Sequence, residues 1–349
     1  MQEINTSKPI LVTGASGFIA SWIVKYLLEG GYTVHSTVRD KNNAQKVQHL
    51  LKMDEDAPGY LKLFEADLLN QGAFAEAMQG CELVIHTASP FQTQVKNAQK
   101  QLIEPALEGT RNVLQSANEI ETVKKVVLTS SVVAVMGDAI EIEDTEDHVF
   151  TEDHWNLSSD LKHQPYSYSK TLAEKEAWRM NQDQERWHLV VINPAFVLGP
   201  SLSNRVDGTS TTFVKNLVDG TFKSGLPNIY FGIADVRDVA QAHINAGLMP
   251  HPSGRHITAA ETLPMLGIAR IIKSFFGKKY PVPKQQLPAW AMYLVGPFQG
   301  FSWKYIRRNL GYQYTFDNSY SQQDLNLQYR PVEETIIDQV KDLEARGLI

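Results

Sequence analysis

Cysteine is nearly missing. One residue, Cys81, stands in a chain of 349. That excludes an intrachain disulfide framework and a thiolate zinc cluster, and it points to a reducing, cytoplasmic setting. Long apolar runs are missing as well. The richest, AWAMYLVGPF over 289–298, falls well short of the roughly 20 residues that cross a bilayer, and reads as a buried helix. The polar opening MQEINTSKP lacks the apolar centre of a secretory leader. An excess of positive charge is also absent: 33 basic against 39 acidic residues leave a formal charge of −6, unlike the basic face of a nucleic-acid binder. Neither membrane nor nucleic acid is expected as a partner. What is present is an ordinary globular composition, 43% hydrophobic and 21% charged, in a chain long enough for one large domain or two closely associated ones.

The first half alternates two periodicities. ILVTG (10–14), YTVHSTVR (32–39), LKLFEAD (61–67), LVIHTAS (83–89), VKKVVLTSS (123–131) and HLVVINP (188–194) read as strands. Between them, 18–31, 41–53, 72–80, 96–119 and 165–180 carry helical spacing. Such alternation predicts an α/β fold, a doubly wound parallel sheet with helices on both faces. The pattern breaks at 137–164. Eight carboxylates and no lysine or arginine lie between Asp138 and Asp153, which reads as a solvated surface loop. Further on, 229–247 reads as a strand and then a helix capped at Asp235 or Asp238, 256–260 as a strand and 332–347 as the last helix. We expect residues 1–195, with 229–260 returning to them, to form a dinucleotide-binding Rossmann domain. Residues 196–228 and 261–349 are expected to form a smaller substrate-binding region.

TGASGFIA (13–20) joins the first strand to the first helix. Gly14 permits the tight turn and Gly17 lets a pyrophosphate approach the backbone, where the helix N-terminus offers free N–H groups. A third glycine is replaced by Ala20. At the end of the second strand a carboxylate would favour NAD and an arginine NADP. Arg39 stands there and Lys46 follows in the next helix, so NADP(H) is the expected cofactor, although Lys46 alone could be ordinary helix surface. After the third strand, Asp67 and Leu68 would flank the adenine; Asp67 could also be a helix N-cap.

Tyr166 and Lys170 are four residues apart, 35 residues after Ser131. On a helix they share a face, and Pro165 suits a first turn. A free phenol has a pKa of about 10. A neighbouring ammonium and an oxidised nicotinamide would lower it, letting Tyr166 exchange a proton with a carbonyl or alcohol oxygen. Ser131, at the C-terminal end of the fifth strand, would donate to the same oxygen. Cys81 reads as a small buried residue before a strand, and neither His86 nor His163 is expected to be a catalyst.

Taken together, VTGASGFIA (12–20), TVRDKNNAQKVQHLL (37–51), ADL (66–68), GCELVIHTASP (80–90), LEGTRNVL (107–114), VVLTSS (126–131), YSYSKTLAEKEAW (166–178), INPAFVLGP (192–200) and DVRDVAQAHI (235–244) carry a resemblance. The chain resembles the extended short-chain dehydrogenases/reductases, within them the group of dihydroflavonol 4-reductases, cinnamoyl-CoA reductases and yeast and bacterial aldehyde and methylglyoxal reductases. The resemblance covers about the first 250 residues and implies NADPH-dependent carbonyl reduction. It implies Ser131, Tyr166 and Lys170 as the catalytic triad: Tyr166 as proton donor, Lys170 on the nicotinamide ribose, Ser131 polarising the carbonyl. It also implies cofactor contacts from Gly14, Gly17, Phe18, Ile19, Arg39, Lys46, Thr87, Ala88, Ser89, Pro194 and Val197.

Two departures bear on the substrate. The aromatic signature of plant cinnamoyl-CoA reductases is replaced by HQPYSYSK, and the polar residue that flavonoid reductases usually carry five positions after the serine is Met136. A smaller aldehyde, ketone or diketone fits better, with Phe91, Met136, Phe196 and Leu226 as candidate walls. The helix segment IEPALEGT offers no asparagine for a proton relay, a role left to water. A sugar-nucleotide epimerase or dehydratase on the same fold is the alternative, weakened by Val132 and Val133 after the serine and by Arg39. A cofactor sensor would have dropped Tyr166 and Lys170. Monomer and homodimer both remain open.

Overall fold

Short β-branched runs bounded by glycine and polar turns become strands, and the amphipathic stretches between them become crossover helices. The computed structural model describes residues 3–89, 96–206 and 208–349. Its strands are β1 (Ile10–Thr13), β2 (Thr33–Val38), β3 (Tyr60–Glu65), β4 (Leu83–His86), β5 (Lys125–Thr129), β6 (Val149–Phe150), β7 (His188–Pro194), β8 (Phe196–Leu198), β9 (Tyr230–Asp235), β10 (Gly254–Thr258), β11 (Glu261–Pro264) and β12 (Thr315–Phe316). Its α-helices are α1 (Phe18–Glu29), α2 (Ala44–Asp56), α3 (Ala75–Met78), α4 (Glu104–Glu119), α5 (Pro165–Gln182), α6 (Thr209–Val218), α7 (Val236–Leu248), α8 (Met265–Phe276), α9 (Ala289–Val295), α10 (Trp303–Asn309), α11 (Ser319–Asp324) and α12 (Val332–Ala345).

Seven parallel strands form one sheet in the order β10-β7-β5-β4-β1-β2-β3. The order reverses between β1 and β4, where Thr13 lies beside His86. In a doubly wound sheet, the crevice beyond such a reversal is where ligands bind. Side chains alternate across the sheet. Ile10, Val12, Ile85, Val127 and Ile192 face a core with α1 and α7; Leu11, Val84, Val126 and Val191 face another with α4 and α5. Each such aliphatic side chain contributes about 1.5–3 kcal/mol through burial. A second sheet, β11-β9-β8, carries the C-terminal core of Leu217, Ile233, Ile268, Ile272 and Ile336.

Three expectations need correction. The helix expected over 96–119 opens with a π-helical turn, Gln99–Ile103, before α4. The acid-rich segment is not a plain solvated loop. It forms 3₁₀ turns at Ala139–Asp144 and Glu146–His148, and Asp138 is fully buried. The segment expected to be a buried helix at 289–298 is helical in α9 but largely exposed, with Trp290 at 67% and Phe298 at 89% exposure. Only Met292 and Gly296 turn inward.

Asp138 is a clamp. Its carboxylate accepts from His163 Nε2 at 2.9 Å, Gln164 Nε2 at 2.8 Å, Asn309 Nδ2 at 2.7 Å and Arg308 Nε. These join the segment before α5 to α10, across 170 residues of sequence to Arg308. The same loop is fastened to β10: Glu152 accepts the N–H of Ile257 at 2.9 Å, and Arg255 donates to the carbonyls of Glu152 and His154.

Burial alone would raise the Asp138 carboxyl, but the hydrogen bonds from Arg308, Asn309 and His163 outweigh it and hold the group below its usual range. The clamp therefore contributes fully above the unfolded-state value of about 4 and is lost as pH falls through the lower folded value. Asp138→Ala should lower unfolding stability at neutral pH by about 3–5 kcal/mol. It should also flatten the loss of stability below about pH 4, both read from urea unfolding midpoints across pH.

Candidate active site

The turn after β1 is built for close approach. Gly14 has φ +68, and a Cβ there would come within 3.0 Å of the Ala88 backbone. At Gly17, a Cβ would meet the Gly14 carbonyl at 3.1 Å. Gly17 is the N-cap of α1 and makes no side-chain cap, and the first turn, starting at Phe18 and Ile19, holds no acidic residue. The amide groups and positive dipole end of a 12-residue helix thus face the turn with no carboxylate in that first helical turn to compete for them. These are features that fit a pyrophosphate.

Neighbouring strand ends are tied to this turn. The amides of Gly14 and Ala15 donate to Thr37 Oγ1 (3.2 Å) and O (2.9 Å) at the end of β2. Arg39, two residues on, is therefore held near the phosphate turn; it and Lys46 are exposed. Thr13 Oγ1 accepts from the amides of Thr87 and Ala88 at 3.1 Å each, so its own proton goes to His86 Nδ1, 2.8 Å away. Burial, helped by the charge of Lys170, pushes the His86 imidazole down to about 3. It stays neutral and braces the strand ends. Asp67 accepts from the amide of Leu69 at 2.9 Å within a turn; it caps no helix, since α3 starts only at Ala75, after Phe74. Leu68 packs over Gly109 of α4.

Ser131 lies two residues beyond the end of β5. Its hydroxyl lies 3.4 Å from the Pro194 carbonyl and accepts weakly from Val133 N at 3.3 Å. It opens the 3₁₀ turn Val132–Ala134, against which α5 packs. Pro165 fills the first position of α5, and Gln164 before it adopts φ 54, ψ 56. A non-glycine residue in that region is strained; the Gln164 side chain is held by Gly137 O and Asp138. Tyr166 and Lys170 follow on one face. Burial pushes the Tyr166 phenol up to about 12, opposite to the expected direction, because desolvation is the dominant influence in the protein by itself. Burial brings Lys170 down to about 8, while Glu174 pulls it upward.

Glu174 is the residue the sequence reading missed. Its side chain is fully buried and receives Arg255 Nε at 2.6 Å, Asn193 Nδ2 at 2.8 Å, Trp178 Nε1 at 3.3 Å and the Ser130 hydroxyl. The signal was present: Glu174 follows Lys170 by four residues, between Ala173 and Ala177 on the helix's buried face. With Lys170, Ser130, His86 and Thr110 it lines a cavity of about 20 Å³, enough for one water molecule.

Two of the candidate pocket walls are buried in the core. Leu226 and Met136 are core, 0% and 7% exposed, and Phe196 stacks with Phe213 and Phe231 in the C-terminal core. Phe91 lies outside the described residues. Pro194 ends β7 and Val197 lies in β8, both beside the Ser131 turn or its neighbouring strand.

Fold and cleft define a doubly wound Rossmann protein with a dinucleotide crevice. More narrowly, the chain belongs to the NAD dependent epimerase/dehydratase family, which it matches over residues 10–258, and the resemblance to extended short-chain dehydrogenases/reductases stands. A cinnamoyl-CoA reductase of Medicago truncatula is 42% identical over 82% of this chain and 85% of its own. A dihydroflavonol 4-reductase of Gerbera hybrida is 34% identical over 82% and 79%. Among solved structures, the yeast methylglyoxal/isovaleraldehyde reductase Gre2 complexed with NADPH superposes with a TM-score of 0.77 at 27% identity, covering 98% of this chain and all of that one.

Glu174→Leu would leave the Ser130 hydroxyl and Arg255 Nε without their acceptor and take from Asn193 Nδ2 the shorter of its two hydrogen bonds. Unfolding stability should fall by about 3–5 kcal/mol, whereas Glu174→Gln, which keeps an acceptor, should lose only about 1–3 kcal/mol. Urea titration of both variants checks the order.

Proposed function

We propose that the protein is an NADP(H)-dependent carbonyl reductase, an oxidoreductase acting on CH–OH and carbonyl groups, that converts an aldehyde or ketone into a chiral alcohol. The observation that carries the reading is the packing of α5, which holds Tyr166 and Lys170, against the turn that Ser131 opens, in a chain 42% identical over 82% of its length to a cinnamoyl-CoA reductase. Residues 1–195 with 229–260 would hold the cofactor; 196–228 and 261–349 would shape the substrate side.

Gly14, Gly17, Phe18 and Ile19 would receive the pyrophosphate, and Arg39 and Lys46 the 2′-phosphate that distinguishes NADP from NAD. Asp67 and Leu68 would flank the adenine, with Thr87, Ala88, Ser89, Pro194 and Val197 along the remainder. Bound NADPH supplies a hydride to the carbonyl carbon. Tyr166 gives its phenolic proton to the carbonyl oxygen, and Ser131 donates a hydrogen bond to that oxygen and orients it. A phenol near 12 is protonated at neutral pH, the form a proton donor needs. Lys170 holds the ribose and, charged below about 8, stabilises the phenolate left behind. The single-water cavity beside Lys170 and Glu174 offers a route for reprotonation.

The deciding experiment follows NADPH oxidation against aldehydes, α-diketones, aryl ketones and cinnamoyl-CoA, with NADH in parallel. Turnover with NADPH and little with NADH is expected. No turnover despite NADPH binding would move the assignment to sugar-nucleotide chemistry. Tyr166→Phe should lower kcat by about 10²–10⁴-fold with NADPH affinity unchanged, and Arg39→Asp should shift preference towards NADH.

The pH profile carries a further expectation. Reduction should decline as pH rises through about 8, where Lys170 loses its proton. Because Glu174 raises Lys170, Glu174→Gln should move that limb to lower pH.

A further inference from the structure

Five exposed large apolar side chains gather on one short stretch. Trp290, Leu294 and Val295 on α9, Phe298 on the turn after it and Trp303 at the start of α10 are all more than half exposed. Trp290 and Leu294 share one face of α9, and Phe298 projects from the 3₁₀ turn that continues it. The opposite face is closed: Met292 and Ile306 are buried, and a Cβ on Gly296 would come within 2.7 Å of Ile306. Trp303 Nε1 donates to the Tyr293 carbonyl at 3.2 Å, linking the two helices. The apolar side chains are held outward by packing beneath them.

Charge is partitioned along the sequence here, although Lys279, Lys304 and Arg308 pair with Glu344, Asp160 and Asp138 from outside the stretch. Between Thr262 and Phe316 there are eight basic residues and no acidic one, while all 39 acidic residues share the rest of the chain with the other 25 basic ones. Lys304 and Arg307 follow Trp303 on α10, and Lys284 precedes α9. Among the described residues, Lys284 and Arg307 are exposed and have no ion-pair partner.

We propose that this face docks the protein onto an anionic lipid bilayer. No helix among the described residues is long and apolar enough to cross a membrane, so the protein would lie on the surface. Trp, Phe and Leu are the side chains that enter the headgroup and acyl boundary, and flanking Lys and Arg are drawn to anionic headgroups. A soluble chain rarely presents so contiguous an apolar face without a partner. A second copy docked face to face would bring the same positive charge against itself, which disfavours that pairing.

Flotation of the full chain with phosphatidylcholine vesicles, with and without phosphatidylserine, tests this. Binding is expected to vesicles containing phosphatidylserine, to weaken as salt rises, and to be lost in the double variant Trp290→Ser, Phe298→Ser. The pair Lys284→Glu, Arg307→Glu should weaken binding by about tenfold or more. Melting by circular dichroism and NADPH affinity should be unchanged in both variants, separating lost docking from lost folding or lost cofactor binding. Three results would each overturn the proposal. The first is no flotation with either vesicle. The second is flotation unaffected by the substitutions. The third is self-association in sedimentation that Phe298→Ser abolishes, which would give the face to a second copy.

Discussion

The Glu174 carboxylate is the interaction on which the rest of the site depends. It is taken out of water entirely and is repaid by donors from Ser130 after β5, Asn193 on β7, Arg255 on β10 and Trp178 on its own helix. A buried carboxylate is tolerable only when its lone pairs are filled. Here, filling them requires three strand ends and one helix to keep their relative positions. Tyr166 and Lys170 ride on that helix, so their position relative to the strand ends is set by the bonds that Glu174 makes. The same negative charge opposes the tendency of burial to neutralise Lys170.

Asp138 plays the complementary part at the other end of α5. Through Gln164 and His163 it fixes the strained residue from which the helix springs, and through Arg308 and Asn309 it connects that point to α10. The first turn, with Tyr166, and the second, with Lys170, therefore lie between two anchored carboxylates. Strain at Gln164 persists because its side chain is held by Gly137 and Asp138.

Much of this was legible in the sequence, for physical reasons. The main-sheet strands are short aliphatic runs with turn residues at both ends, and the glycine turn has a strand before and a helix after it. Local pattern suffices for both. What failed to show were properties of tertiary origin. Asp138 lies in an acidic stretch whose composition says solvent, yet its partners Arg308 and Asn309 are distant in sequence. Met136 and Leu226 are apolar, and nothing local separates a pocket wall from core. The helix at 289–298 was read correctly as a helix and incorrectly as buried, because hydropathy reports what a segment would bury and not whether a surface is there to cover it. Glu174 could have been found, since a carboxylate flanked by alanines on the face shared by Tyr166 and Lys170 has few reasons to be there except burial.

The fastening of the acid-rich loop has an effect beyond the active site. β10 is an outer strand of the seven-stranded sheet, and a parallel edge with free N–H and C=O groups is a template for unwanted pairing with another chain. Glu152 occupies the Ile257 N–H, and the Tyr329 hydroxyl approaches the carbonyl of the same residue at 3.4 Å. The loop thus ends the sheet by chemistry instead of by an added strand. At the opposite edge, β3 carries the charges of Lys62 and Glu65, so both margins resist the edge-to-edge growth that leads an open sheet towards aggregation.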